Sequence, residues 1–193
     1  VAFELIVVGA SLGGLHALEA IFAALPPSLA VPLAVVQHRH RDSDDTLRLV
    51  LQRASALPIY EAEDKQPIER STIYLAPADY HLLVERHSLA LSTEAPVLHA
   101  RPSIDVLFES AADAYGPRLI GVILTGASAD GAQGLAQIKA RGGCTIVQQP
   151  STAECQVMPE AALAQCAVDH VVPLPAIAPL LTQLCHTNPK VSL

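Results

Sequence analysis

The sequence predicts an α/β fold: a doubly wound, mostly parallel sheet with helices on both faces and a small antiparallel insertion. Three observations predict it. Short runs at Glu4–Val8, Pro32–Val36, Leu119–Leu124 and Cys144–Val147 are apolar nearly throughout rather than alternating, as strands buried on both faces must be. Segments of helical spacing separate most of them, which favours crossover connections and parallel pairing. Polar residues stand just after three of the runs: Ser11, His38 and Asp130.

The elements follow in order. Glu4–Val8 stops at a small-residue turn, Gly9-Ala10-Ser11-Leu12-Gly13-Gly14, and a helix starts from Leu15 and ends at Pro26-Pro27. Pro32–Val36 runs into Gln37-His38-Arg39-His40. Asp42-Ser43-Asp44-Asp45 offers caps for a helix through about Ala54. Ile59–Glu63 reads as a short strand. Thr72–Ala76 and Leu82–Glu85 read as strands around Pro77-Ala78-Asp79-Tyr80, with Ser88–Ser92 beside them. No helix separates these strands, so they form the predicted antiparallel insertion. Ser103 starts a helix through about Tyr115, closed by Gly116-Pro117. After Leu119–Leu124 comes Thr125-Gly126-Ala127-Ser128-Ala129-Asp130-Gly131, then a helix to about Arg141 stopped by Gly142-Gly143. Cys144–Val147 is a strand, Met158–Gln165 a helix with Pro159 in its first turn, Val168–Val172 a strand and Ile177–Cys185 the last helix.

A chain of 193 residues suits one domain with a sizeable core. The formal net charge of -7, with scattered basic residues, argues against nucleic acid as a partner. No apolar run is long enough to span a membrane, and the first one lacks a basic leader, so the expectation is a cytoplasmic protein without membrane insertion. Cys144, Cys155, Cys166 and Cys185 form no C-x-x-C pair and read as unpaired core thiols. The expectation is no metal and no cofactor.

The Gly9–Gly14 turn has two readings. Its glycines could cradle a phosphate at a helix N-terminus, or the sharp turn could present Ser11 as a nucleophile. A dinucleotide fingerprint has glycine where Ser11 stands, and an acid near Gln37-His38 to hold a ribose; a Walker lysine is also absent. The nucleophile reading gains from position. If the chain winds outward from strand one and then crosses back, strand one lies between Pro32–Val36 and Leu119–Leu124. Ser11, His38 and Asp130 then meet at the switch point of the sheet, where ligands bind. A serine, a histidine and an aspartate together can perform acyl transfer.

Each residue also has a plainer role. Ser11 could cap the first helix, His38 could be a satisfied buried histidine, and Asp130 could cap the helix that follows it. Zinc would need His16, His38 and His40 on one face with a further ligand. Ser128 is a weaker alternative nucleophile, without the following glycine. Asp79 and His81 could reach the site, though a turn closed by an Asx cap is the simpler reading.

The chain resembles the catalytic domain of chemotaxis protein-glutamate methylesterases of the CheB type. The resemblance rests on an ordered series of blocks: Val8–Gly14, Gln37-His38, Leu75–His81, Arg101–Phe108, Gly121–Gly126 leading to Asp130-Gly131, and Met158-Pro159. It implies a serine–histidine–aspartate triad on Ser11, His38 and Asp130, with backbone N–H groups near Leu12 and Ala127 as oxyanion donors. It implies hydrolysis of γ-glutamyl methyl esters on a methylated chemoreceptor-like protein, and deamidation of receptor glutamines. The whole of residues 1–193 is then one catalytic domain, without the receiver domain that many relatives carry; a regulatory receiver or kinase partner would act in trans. A catalytically silent interaction module, or a hydrolase of another ester, is the alternative. Relatives carry a small residue or threonine where this chain has Leu12, so a reshaped site mouth is an expectation to check.

Overall fold

The computed structural model describes residues 2–186. Its centre is a seven-stranded sheet in which every pairing is parallel. In chain order the elements are β1 (Leu5–Ala10), α1 (Gly14–Ala24), β2 (Leu33–Gln37), α2 (Thr46–Ala54), β3 (Ile59–Glu61), β4 (Ile73–Leu75), β5 (His81–Glu85) and β6 (Ser88–Ser92). Then come α3 (Ile104–Tyr115), β7 (Leu119–Ile123), α4 (Ala132–Ala140), β8 (Cys144–Gln148), α5 (Val157–Gln165), β9 (His170–Val172) and α6 (Leu174–His186). The spatial order is β3-β4-β2-β1-β7-β8-β9. Strand β1 therefore lies between β2 and β7, and the winding direction reverses there.

The two faces of β1 explain its continuous apolar run. Successive side chains point to opposite faces. Ile6 and Val8 pack with Leu18 and Phe22 of α1, Leu51 of α2, and Ile177 and Leu181 of α6. Leu5 and Val7 pack with Ile104 and Phe108 of α3, Leu135 and Ile138 of α4, and Met158 of α5. Both layers exclude water, and all six residues of the strand are buried and apolar or glycine. Among the described residues no helix is long and apolar enough to cross a membrane.

The antiparallel insertion is smaller than the sequence suggests. Only β5 and β6 pair antiparallel, with His81 opposite Ser92 and Glu85 opposite Ser88. The Thr72–Ala76 segment instead supplies β4 to the main sheet, where Ile73 pairs in parallel with Leu33 on one side and Ile59 on the other. The physical reason is burial. Ile73, Tyr74 and Leu75 are all at most 1% exposed, and only a central strand covers both faces. The return from β3 to β4 is an irregular segment, 62–72, long enough for a parallel crossover without a helix. Tyr74 braces that segment: its hydroxyl donates to Pro67 O and accepts from Glu69 N–H.

Helix α2 starts at Thr46, where Asp44 accepts from the Thr46 N–H. The four cysteines are unpaired and half-buried. Burial pushes the Cys144 and Cys185 thiols up to about 11, so neither is a ready thiolate nucleophile.

Candidate active site

The backbone of three adjacent strands sets the positions. Ser11 N–H donates to Thr125 O at 3.0 Å and His38 N–H donates to Ala10 O at 2.9 Å, so the β1 turn sits between the ends of β2 and β7. Gly13 starts α1 with φ of +78°, a left-handed geometry that favours glycine. The turn is then pinned by side chains. Gln37 Nε2 donates to Ser11 O at 2.8 Å, and Thr125 Oγ1 donates to Leu12 O at 2.8 Å. Ser11 O also accepts from Gly14 N–H.

Ser11 is not a helix cap. Gly13 holds the cap position of α1 without a side-chain bond, and among the described residues Ser11 Oγ makes no hydrogen bond. Its hydroxyl is left facing a shallow depression of about 560 Å³, which His38 also lines. His38 and Ser11 thus share one surface, with no hydrogen bond joining them. Leu12 is 55% exposed on the rim of this depression and does not fill it.

His38 and Asp130 are joined directly: His38 Nε2 lies 2.7 Å from Asp130 Oδ2. Asp130 is fully buried. It is not the cap of the following helix, because Gly131 holds that place in α4. The carboxylate turns instead to the start of α3. It accepts from Ile104 N–H at 2.7 Å, Asp105 N–H at 3.0 Å and Ser103 Oγ at 2.8 Å. Burial pushes the Asp130 carboxyl up, but the bonds from His38, Asp105, Ile104 and Ser103 outweigh it and hold it below the ordinary carboxylate range. The positive end of the α3 dipole acts in the same direction. An ionised carboxylate only accepts, so His38 Nε2 carries a proton; in the neutral imidazole the lone pair is then on Nδ1. A base beside an unbonded serine hydroxyl is suited to acyl transfer.

Asp105 completes a reciprocal arrangement. Asp130, just before α4, binds the N-terminus of α3, while Asp105 in the first turn of α3 binds the N-terminus of α4. Asp105 Oδ1 accepts from Gly131 N–H at 2.9 Å and Gly134 N–H at 2.7 Å. Burial raises its pKa to about 6, with the charge on Asp130 adding to the effect. Of the two neighbouring carboxyls, Asp130 keeps the charge. The folded-state value of Asp105 lies above its ordinary 3.8, so folding takes up a proton between those limits. Stability therefore falls as pH rises from 3.8 towards about 6. Asp105→Asn is expected to flatten that slope in urea titrations, since an amide oxygen can still accept both N–H groups. A slope kept in the variant would show that another group causes it. Asp105→Ala leaves both N–H groups unpaired and is expected to cost about 1–3 kcal/mol.

The remaining expectations sort clearly. Asp79 makes no Asx cap; it holds Arg101, whose Nη2 lies 2.6 Å away. His81 does not touch His38. It accepts the Ser103 N–H at 3.1 Å through Nδ1 and donates to Ala95 O through Nε2, so it steadies the residue that binds Asp130. Ser128 Oγ accepts from Asp130 N–H. His16 lines the same depression as His38, but among the described residues no three potential ligands gather in metal-binding geometry. Leu12 and Ala127 N–H groups have no acceptor among the described residues. Gly126 stands between Met158 and the serine: a Cβ there would meet Met158 Cε at 2.6 Å and Ser11 Cβ at 2.9 Å. Gly126→Ala is expected to displace the Ser11 turn and lower kcat more than stability; unchanged kcat would show the turn yields freely.

Sequence reasoning missed the supporting roles of Gln37, Ser103, Asp105 and Thr125. Their signal was position, as polar residues at strand or helix ends in an otherwise apolar frame.

Fold and site first define a class: a doubly wound α/β domain with a serine and a histidine–aspartate pair at its switch point. The CheB methylesterase family model matches residues 6–181. The chain belongs to the CheB methylesterase family. The crystal structure of the Thermotoga maritima CheB methylesterase catalytic domain superposes with a TM-score of 0.90 and 31% identity, covering 95% of this chain and 100% of that one. A relative from Leptospira interrogans is 44% identical over 187 residues, covering 96% of this chain and 97% of its own. The protein-glutamate methylesterase/protein-glutamine glutaminase 2 of Anaeromyxobacter dehalogenans is 41% identical over 181 residues. That match covers 94% of this chain and 53% of the relative, so the chain spans about half the length of such relatives.

Proposed function

We propose that this chain hydrolyses γ-glutamyl methyl esters on a chemoreceptor-type protein, with Ser11 as nucleophile, His38 as proton carrier and Asp130 as its orienting partner. Ser11 Oγ attacks the ester carbonyl while His38 Nδ1 takes its proton. Asp130 holds Nε2–H and stabilises the imidazolium. The tetrahedral oxyanion is bound by the N–H groups of Leu12 and Ala127. The C–O bond then breaks, and His38 passes the proton to departing methanol. Water, deprotonated by His38, attacks the acyl-enzyme and releases glutamate and Ser11. A glutamine side chain follows the same path with ammonia as leaving group, in keeping with the paired names of the relatives. No cofactor takes part. A receptor substrate places the reaction in the cytoplasm.

The single observation that carries this reading is the 2.7 Å His38–Asp130 contact beside a serine hydroxyl without a partner. The exposed side chain of Leu12 favours the enzyme over a silent module, because the depression remains open. The test is methanol release from methylated receptor, run beside labelling by a serine-directed phosphonate. Release together with label on Ser11 is expected. Absence of both would leave the interaction module as the better account. Label without release from the receptor would point to another ester.

A further inference from the structure

We propose that the hairpin tip Leu98-His99 is a recognition finger that selects protein substrates with an apolar side chain about one helical turn from the scissile ester. This role presupposes those proposed above for Ser11 and His38, and it names what the substrate carries beside its methylated residue.

The tip is a tight hairpin loop. Val97 N–H donates to Ala100 O at 3.0 Å, and Ala100 N–H donates to Val97 O at 2.8 Å. Between them Leu98 has φ of +47° and His99 φ of +65°, the signs that a type I′ turn requires. Asparagine and glycine accept that geometry readily; leucine adopts it at a cost. Among the described residues, the other non-glycine positions with positive φ are polar: Lys65, Ser71, Asp79 and His87, besides His99. The fold gives Leu98 nothing in return. It is 56% exposed and belongs to neither apolar layer of the core. An apolar side chain held out to solvent on a strained backbone points to binding rather than to folding.

The hairpin below the tip is fixed and adjoins the catalytic pair. Arg101 Nη1 donates to Thr93 O at 2.9 Å and Glu94 O at 3.0 Å, while its Nε and Nη2 hold Asp79. His81 Nε2 donates to Ala95 O at 3.1 Å. Pro96, His99, Ala100, Arg101 and Pro102 then form one wall of a cavity of about 370 Å³ that His38 also lines. Leu98 is outside this lining, at the exposed tip beside His99. His38 is shared with the depression that holds Ser11. A protein segment that lays its ester on Ser11 against His38 therefore runs along this hairpin, and a neighbouring side chain covers Leu98. Leu12, 55% exposed on the Ser11 side, makes the other end of that path apolar as well. The occupant is the ester-bearing segment itself, and its matching side chain is apolar.

The test uses two synthetic peptides, each with one γ-methyl glutamyl residue. One has leucines about one helical turn to either side, the other serines. The protein is expected to favour the leucine peptide by about tenfold in kcat/KM, through KM. Leu98→Asn is expected to remove that preference and to raise the melting temperature, because asparagine suits the turn better. Leu98→Met keeps an apolar side chain and is expected to keep the preference. A preference intact in Leu98→Asn, or a lower melting temperature in that variant, would overturn the proposal, since the leucine would then serve the fold. Binding to the Ser11→Ala protein reads the finger without turnover. Tighter binding of the leucine peptide there, lost when Leu98→Asn is added, with no hydrolysis by the parent, would sink the catalytic roles and keep the finger. Hydrolysis of both peptides with equal kcat/KM would do the reverse, and equal binding without hydrolysis would overturn both.

Discussion

Ser11→Ala is expected to slow methanol release by on the order of a million-fold while leaving the melting temperature unchanged. The two halves of that expectation have separate grounds. With Ser11 as the proposed nucleophile, its removal leaves binding, the proposed oxyanion donors and water. The neutrality towards folding follows from the hydroxyl's surroundings: it caps no helix and bonds to no protein group among the described residues. The bonds that hold the turn belong to the backbone of Ser11 and Leu12, through Gln37, Thr125 and Gly14, and alanine keeps them all. Methanol release and a thermal melt on the same preparation check both parts. Turnover at the parent rate would remove Ser11 from the mechanism. A lost rate with a much lower melting point would mean that the turn, not the hydroxyl, had been disrupted.

Much of this site was legible because strand ends in a parallel sheet are close in space even when far apart in sequence. Ser11, His38 and Asp130 each follow an apolar run, and the reversal of winding at β1 brings those runs side by side. What was not legible depended on partners rather than on pattern. The Thr72–Ala76 segment has the length and composition of either an inserted strand or a sheet strand. Only the burial of Tyr74 on a second face decides between them. Asp130 before a helix looks like its cap, and nothing in its neighbours says that it reaches across to α3. Asp105 looks like an ordinary first-turn acid for the same reason. Gln37 was visible only as a residue that is not a ribose-binding acid, because its task is to hold a carbonyl in another loop.

Asp130→Asn is expected to slow catalysis about ten-thousand-fold, because an amide no longer fixes the His38 tautomer or stabilises its charge. The structure adds a cost in stability. Asp130 Oδ2 accepts from His38 and Ile104, and Oδ1 accepts from Ser103 and Asp105. Whichever way an asparagine turns, its NH2 group faces one backbone N–H, that of Ile104 or of Asp105, which cannot become an acceptor. A loss of about 1–3 kcal/mol is therefore expected alongside the loss of rate. The pH dependence of stability separates the two effects. The Asp130 carboxyl is held below its ordinary value, so its contribution is present above the usual carboxylate range and is lost as pH falls through the folded-state value. The asparagine variant should lack this acid-side loss. Ser103→Ala provides the comparison, since it removes one bond to Asp130 but leaves the 2.7 Å contact with His38. It should share a modest part of the stability cost and keep most of the rate. If Asp130→Asn instead turned over at the parent rate, the carboxylate would be a helix clamp alone, and His38 would need no charged partner to act as base.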